Sequence, residues 1–302
     1  MRRFNIDFLG NKQYLFILSG VLLAISLGAL VFRGLSFGIE FEGGTVVELL
    51  GTGNIGIEQV RDAFHAADVK GADVQSFSGD TNGFIVRTDI KEVAEAQQVA
   101  GKVASGLDLP ANSIQVTTIG PGWGKNVTER SLIALAVSFG AILLYVALRF
   151  EYKMSVAAII TLMHDVTITL GFYALFGEEI TPNTVAALLT ILGYSLYDTI
   201  VMFHRIKENS AKLSKKTFAS MANDSVNEVL VRTVNTIILS LIPVITLLVF
   251  GGDTLYDFAL ALTIGLAVSS FSSFGIATPI YVMWKEREPK YAALKKKYAK
   301  QG

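Results

Sequence analysis

Apolar runs long enough to cross a membrane dominate this chain, and only one extended stretch breaks the pattern. Uncharged runs occupy Tyr14 to Phe32, Ser131 to Leu148, Thr233 to Phe250 and Phe258 to Trp284. A helix needs roughly 20 largely apolar residues to traverse hydrocarbon, so each reads as a span. Met154 to Phe176 and Thr184 to Phe203 are as long, but carry His164, Asp165 and Asp198 inside them. Six spans are expected. The first exceeds the roughly 7 to 15 residues of a signal-peptide core and has no small-residue cleavage site after it, so it is expected to be retained.

Between Gly34 and Lys125 the continuous runs give way to alternation and amphipathic periods. Thr45 to Leu50, Asp73 to Ser78, Gly83 to Thr88 and Ser113 to Ile119 read as strands; Ile55 to Ala67 and Val93 to Leu107 read as helices. Gly79-Asp80-Thr81-Asn82-Gly83 supplies a hairpin turn. The order is βαββαβ, a ferredoxin-like arrangement. His65 reads as a surface or packing residue, and Gly43-Gly44 and Gly120-Pro121-Gly122 read as turns, because no nucleotide-binding strand–loop–helix surrounds them.

Charge then orients the chain. Its 302 residues hold 26 Lys and Arg against 26 Asp and Glu, a zero sum that conceals polarity. Arg2, Arg3 and Lys12 precede the first span, Arg149 and Lys153 follow the second, Arg205, Lys207, Lys212, Lys215 and Lys216 follow the fourth, and the chain ends on a Lys-rich tail from Lys285 to Lys300. With six spans these fall on one side, the cytoplasmic side by the positive-inside rule. Glu178, Glu179 and Asp253 mark the other. The resulting layout is a cytoplasmic terminus at 1–13, a first transmembrane helix at 14–33, an extracytoplasmic α+β domain at 34–127, helices two to six at 128–284 and a basic cytoplasmic tail at 285–302. That tail suits anionic lipid or another cytoplasmic partner rather than nucleic acid. There is no cysteine, so disulfides and thiolate metal sites are excluded.

The ionisable residues at bilayer depth carry the candidate chemistry, since such groups cost about 2.5–3.5 kcal/mol on insertion scales and face a bundle interior. Asp198 stands with Tyr194, Ser195 and Met202 at helical spacings of three and four. Arg232, which opens the fifth span with Thr233, Asn235 and Thr236, is its natural counter-charge. A carboxylate poised between desolvation and a guanidinium can exchange a proton; the same spacing fits a static ion pair between two helices. His164-Asp165 reads as a second relay or as a helix–helix hydrogen-bond partner. Pro243 is expected to kink the fifth span, and Gly265, Ala267, Ser269, Ser270, Ser272, Ser273 and Gly275 to let the sixth pack closely.

Several motifs resemble one family along nearly the whole length. Phe37-Gly38-Ile39-Glu40-Phe41-Glu42-Gly43-Gly44-Thr45, Leu148-Arg149-Phe150-Glu151-Tyr152, Met163-His164-Asp165-Val166, Ala186 to Ser195 with Asp198-Thr199-Ile200-Val201, Arg232-Thr233, Asn235-Thr236 and Phe250-Gly251-Gly252 are similar to motifs of the SecF family. SecF is a subunit of the SecDF accessory complex of the bacterial Sec translocon and a relative of the RND transporters. The resemblance implies an RND-like half of six helices with an outer ferredoxin-like domain, in the inner membrane. It also implies a non-enzymatic role in export, driven by the proton-motive force, with SecD as partner or fusion, the translocon channel and translocating preproteins as further partners, and protons as the only coupling species. Asp198 and Arg232 match the proton-pathway acid and its basic partner. Tyr197 departs from the Asn common before the acid, and His204 from the Asp common before Arg-Ile. Two other readings stay open at this point: a proton-independent scaffold of the translocon, and an RND-type small-molecule exporter.

Overall fold

The computed structural model describes residues 6–53, 55–69, 72–77 and 82–298. Arg2, Arg3, Ser78, the turn residues Gly79-Asp80-Thr81 and Lys300 lie outside them. In chain order the elements are α1 (Lys12–Phe32), β1 (Gly44–Leu50), α2 (Ile57–Ala66), β2 (Asp73–Phe77), β3 (Gly83–Thr88), α3 (Val93–Gly106), β4 (Ile114–Ile119), α4 (Pro121–Arg149), α5 (Tyr152–Phe176), α6 (Pro182–Ser210), α7 (Phe218–Phe250) and α8 (Asp253–Ser272). A π-helical turn (Ser273–Ala277) leads on to α9 (Thr278–Lys285) and α10 (Pro289–Tyr298). The chain divides into two compact units, residues 37–133 and residues 1–36 with 134–302.

Residues 37–133 form the βαββαβ unit. Its four strands are antiparallel in the order β2-β3-β1-β4, the order that results when two helical crossovers cover one face. Pairing sets Val47 opposite both Val86 and Val116, and Leu49 opposite both Phe84 and Ile114. With a side-chain period of two, this register turns Val47, Leu49, Phe84 and Val86 to one face, where Val60 and Phe64 of α2 and Val99 and Val103 of α3 cover them. Helix α2 begins two residues later and ends one residue earlier than the expected Ile55–Ala67, and α3 begins at Val93 as expected and ends one residue before Leu107. His65 is exposed in the last turn of α2. Gly43 and Gly44 have φ of 75° and 143°, and a Cβ on Gly44 would meet the Thr88 carbonyl oxygen at 2.7 Å. Both positions therefore demand glycine, for backbone reasons.

The other unit contains the long apolar helices. Among the described residues six helical segments are long and apolar enough to cross a membrane: Lys12–Phe32, Gly122–Arg149, Tyr152–Phe176, Pro182–Ser210, Phe218–Phe250 and Leu255–Lys285. Half or more of the most apolar window is buried in the third, fourth and sixth, against 6% in the second and fifth. The first group is the inner layer and contains most of the intramembrane polar residues. Close approach depends on small side chains, because apolar burial drives nothing between helices already in lipid. Ser19, Ser26 and Ala29 form the buried stripe of α1, and a Cβ on Gly171 of α5 would come within 2.2 Å of Ser26 Cβ. Gly265 of α8 sits equally close to Ile191 of α6. Ser269, Ser272 and Ser273 are buried as expected of a packing face, whereas Ala267 points outward.

Helix ends are stopped by local chemistry. Gly177 takes a left-handed conformation to close α5, Thr181 caps α6 through its hydroxyl, and Pro182 occupies the first turn where no amide is needed. Arg33 donates to the Leu175 carbonyl, satisfying one of the orphan acceptors at the end of α5. Helix α7 continues through Pro243 to Phe250.

Candidate functional site

Two acids lie inside the bundle. Asp165 of α5 is 1% exposed, and both carboxyl oxygens are engaged. Oδ1 is 2.9 Å from His164 Nδ1, while Oδ2 accepts from Ser195 of α6 at 2.6 Å and from Ser272 of α8 at 2.8 Å. His164 Nε2 lies 2.7 Å from Ser19 Oγ of α1. A proton on Nδ1 lets His164 donate to Asp165 and accept from Ser19, so one tautomer satisfies both contacts. Four spans are thereby joined through one carboxylate. Of the two readings of His164-Asp165, this geometry fits the helix–helix hydrogen-bond partner.

Asp198 of α6 is 3% exposed, yet its Oδ2 is buried without a hydrogen-bond partner, as is Thr233 Oγ1 of the neighbouring α7. Asp198 and Arg232 make no direct ion pair. The Arg232 guanidinium instead donates from Nη2 to the Tyr197 hydroxyl at 2.6 Å and lies over that ring, 5.9 Å from its centroid. It remains close enough for its charge to act on Asp198. The expected counter-charge is thus near the acid but committed to its neighbour, because Arg232 lies on the exposed side of α7, where it meets the outward-pointing Tyr197 rather than the inward-pointing Asp198.

The expected polar face of α6 divides between two neighbours. At 3.6 residues per turn, consecutive residues diverge by about 100°, so Tyr194 and Ser195 serve different helices. Tyr194 bonds Ser240 of α7 at 3.0 Å, whereas Ser195 belongs to Asp165. Thr199 bonds Ser273 at 3.2 Å. The π turn there, closed by the Thr278 amide onto the Ser273 carbonyl, lets adjacent Ser272 and Ser273 address α5 and α6 separately. Thr236 turns back to the Arg232 carbonyl at 2.8 Å, and Asn235 is exposed.

Residues the sequence did not single out close the basic end below Asp198. Asn227 accepts from the Ile6 amide and donates to the Ile6 carbonyl, and Asn223 accepts from the Phe8 and Leu9 amides. This clamp seats Phe8 among Met202, Val226 and Leu230, with Phe274 5.0 Å away ring to ring. Met202 is one turn beyond Asp198. The i, i+4 Asn pair was the available signal, but its backbone target is distant in sequence. Beyond it, Glu288 bonds Lys153 at 2.8 Å and Lys285 at 3.0 Å; Lys153 above all, with Lys285, holds its carboxyl below the usual range. At the opposite end burial, reinforced by Asp257, raises the Glu178 carboxyl above that range. Among the described residues no three of His, Asp and Glu gather as a metal-binding group.

Comparison with known proteins places these features in a family. Residues 99–287 match the model "Protein export membrane protein SecD/SecF, C-terminal", and residues 28–50, around Gly43 and Gly44, match "SecD/SecF GG Motif". The chain is 38% identical to protein translocase subunit SecF of Streptomyces coelicolor over 96% of its own length and 80% of the relative's. It is 37% identical to SecF of Calditerrivibrio nitroreducens, covering 93% and 94%. Against protein translocase subunit SecDF of Thermus thermophilus it is 34% identical and spans 40% of that longer chain. A crystal structure of that SecDF, described as a translocon-associated membrane protein, superposes with a TM-score of 0.84 at 35% identity, over 95% of this chain and 39% of the other.

Proposed function

This multi-pass membrane protein belongs to the SecF branch of the SecD/SecF protein-export family, and from that premise we propose that it is a proton-driven accessory subunit of the protein translocase. In this reading Asp198 carries the coupling proton and Arg232 is the basic group that answers its charge. The observation that carries it is the buried, unpartnered Oδ2 of Asp198. An uncompensated carboxylate charge in low dielectric costs several kcal/mol, and binding a proton removes that cost. Such a group is stable in either of two states only if something nearby receives the charge, and Arg232 is within electrostatic reach.

The bias of Lys and Arg toward one set of helix ends supports cytoplasmic termini in the inner membrane, with the βαββαβ unit outside to meet preprotein emerging from the channel. SecD supplies the other half: this chain matches about two fifths of a SecDF polypeptide, and the exposed Arg232 and Asn235 on the outside of α7 need a polar partner within the membrane. Protons are the coupling species.

Replacing Asp198 by Asn retains shape and removes the exchangeable charge. Asp198→Asn is expected to assemble at wild-type levels, with stability within about 1 kcal/mol, while its support of proton-motive-force-dependent export falls to that of a deletion strain. Full export by a normally assembled variant would overturn the proton reading and leave the scaffold role.

A further inference from the structure

Arg232 has two prospective partners one residue apart on α6, and the structure shows it on the neutral one. The Tyr197 hydroxyl accepts from Nη2 at 2.6 Å and the ring lies beneath the guanidinium, while Asp198 Oδ2 goes without a partner. We propose that Tyr197 is a positioning residue that parks Arg232 off Asp198 while that carboxyl carries its proton, and releases Arg232 to the carboxylate when the proton leaves. The proposal rests on the proton-carrier reading of Asp198.

The energetics favour such an exchange. A hydrogen bond from a cation to a neutral phenol, even with the attraction of the ring face added, is weaker than the bond between a guanidinium and a carboxylate, in which both partners are charged. Tyr197 therefore retains Arg232 only against an uncharged Asp198. In the step itself the O–H bond of the Asp198 carboxyl breaks and its proton passes to water. The Arg232–Tyr197 hydrogen bond is then exchanged for one from Arg232 to Asp198, and Tyr197 keeps its own proton throughout. An Arg bonded permanently to Asp198 would hold the carboxylate charged and remove it from service. Tyr197 is half exposed, 47%, and Arg232 lies on the same outer side, so the guanidinium leaves the phenol at an open face and turns inward between α6 and α7 to reach the buried Asp198.

The test reads Asp198 directly. Dicyclohexylcarbodiimide modifies protonated carboxyl groups in apolar surroundings, and mass spectrometry of the full chain in native membrane vesicles distinguishes the Asp198 peptide from the Asp165 peptide. Wild-type Asp198 is expected to label and Asp165, with its donors in place, to resist. Tyr197→Phe keeps the ring but frees Arg232 to pair with the acid, so labelling of Asp198 is expected to fall about tenfold, the effect of an opposite charge brought within 4–6 Å. Adding Arg232→Gln to Tyr197→Phe is expected to restore it. Three results would overturn the proposal: unchanged labelling in Tyr197→Phe, a loss that Arg232→Gln does not reverse, or a wild-type Asp198 that does not react. Each is independent of the export assay on Asp198→Asn, so failure of the parking step and failure of the proton reading are separable.

Discussion

Asp165 and Asp198 are two carboxyl groups of the same bundle, on adjacent helices and almost equally buried, with opposite surroundings. Asp165 is bonded to His164, Ser195 and Ser272, which come from α5, α6 and α8, and through His164 it is connected to α1. Asp198 has an oxygen with no partner, beside a buried Thr233 hydroxyl with none. Depth in the membrane is therefore a poor guide to an acid's role, and the donors around it are a better one. A carboxylate whose acceptor sites are filled stabilises an arrangement of helices; one left unfilled has capacity to bind a proton or a cationic side chain.

The strongest attempt to break this comparison is Asp165→Ala. It leaves Ser195, Ser272 and His164 without their acceptor and is expected to lower stability by about 2–3 kcal/mol, read as reduced assembly and a lower thermal midpoint in detergent. Stability equal to that of Asp198→Asn would erase the distinction. A finer comparison removes one hydroxyl from each centre. Ser272→Ala deletes a donor in use and is expected to destabilise by about 0.6 kcal/mol, the average for interhelical bonds in membranes. Thr233→Val deletes a buried hydroxyl with no partner and is expected to be neutral or stabilising. The reverse order in thermal midpoints would show that the unpartnered atoms at Asp198 are not deficient.

The smallest effect belongs to Glu178, a half-buried carboxyl at the rim whose titration can be followed. Burial and Asp257 raise its pKa in the folded chain, so the folded state retains this proton to higher pH than the unfolded state. Stability is then greatest below the ordinary carboxylate value and declines as pH rises from there through the raised folded value. Glu178→Gln is expected to remove that decline, with a midpoint slightly above wild type near pH 8 and equal to it near pH 4, the difference being kept small by solvent screening. A variant that instead gains at acid pH would contradict the sign.

Much of the fold was legible beforehand because its causes are local. Strand alternation from Thr45 to Leu50 and from Gly83 to Thr88 reflects a period of two that any half-buried sheet enforces, and uninterrupted apolar length reflects the thickness of a bilayer. Helix ends differ from the apolar runs where capping groups lie outside them: α6 begins at Pro182, capped by Thr181, rather than at Thr184, and α7 extends back about four turns, from Thr233 to Phe218. The polar residues were legible as exceptions, but not their pairings. Ser195 was grouped with Asp198 by helical spacing and serves Asp165, since spacing identifies neighbours on one helix and is silent about which other helix each face meets. The Asn223 and Asn227 clamp on Ile6 to Leu9 was missed for the same reason: its partners are more than two hundred residues apart.

By itself, then, the sequence determined the six apolar spans, the βαββαβ insertion, the polarity of charge and the two acids that had to be accounted for. These follow from periodicity, length and the cost of charge in hydrocarbon, all of which act on contiguous residues. The tertiary structure alone decided that Asp165 is saturated, that Asp198 is not, and that Arg232 rests on Tyr197. Hydrogen bonds form over about 3 Å and depend on direction, and only the packing of one helix against another brings distant residues into that range.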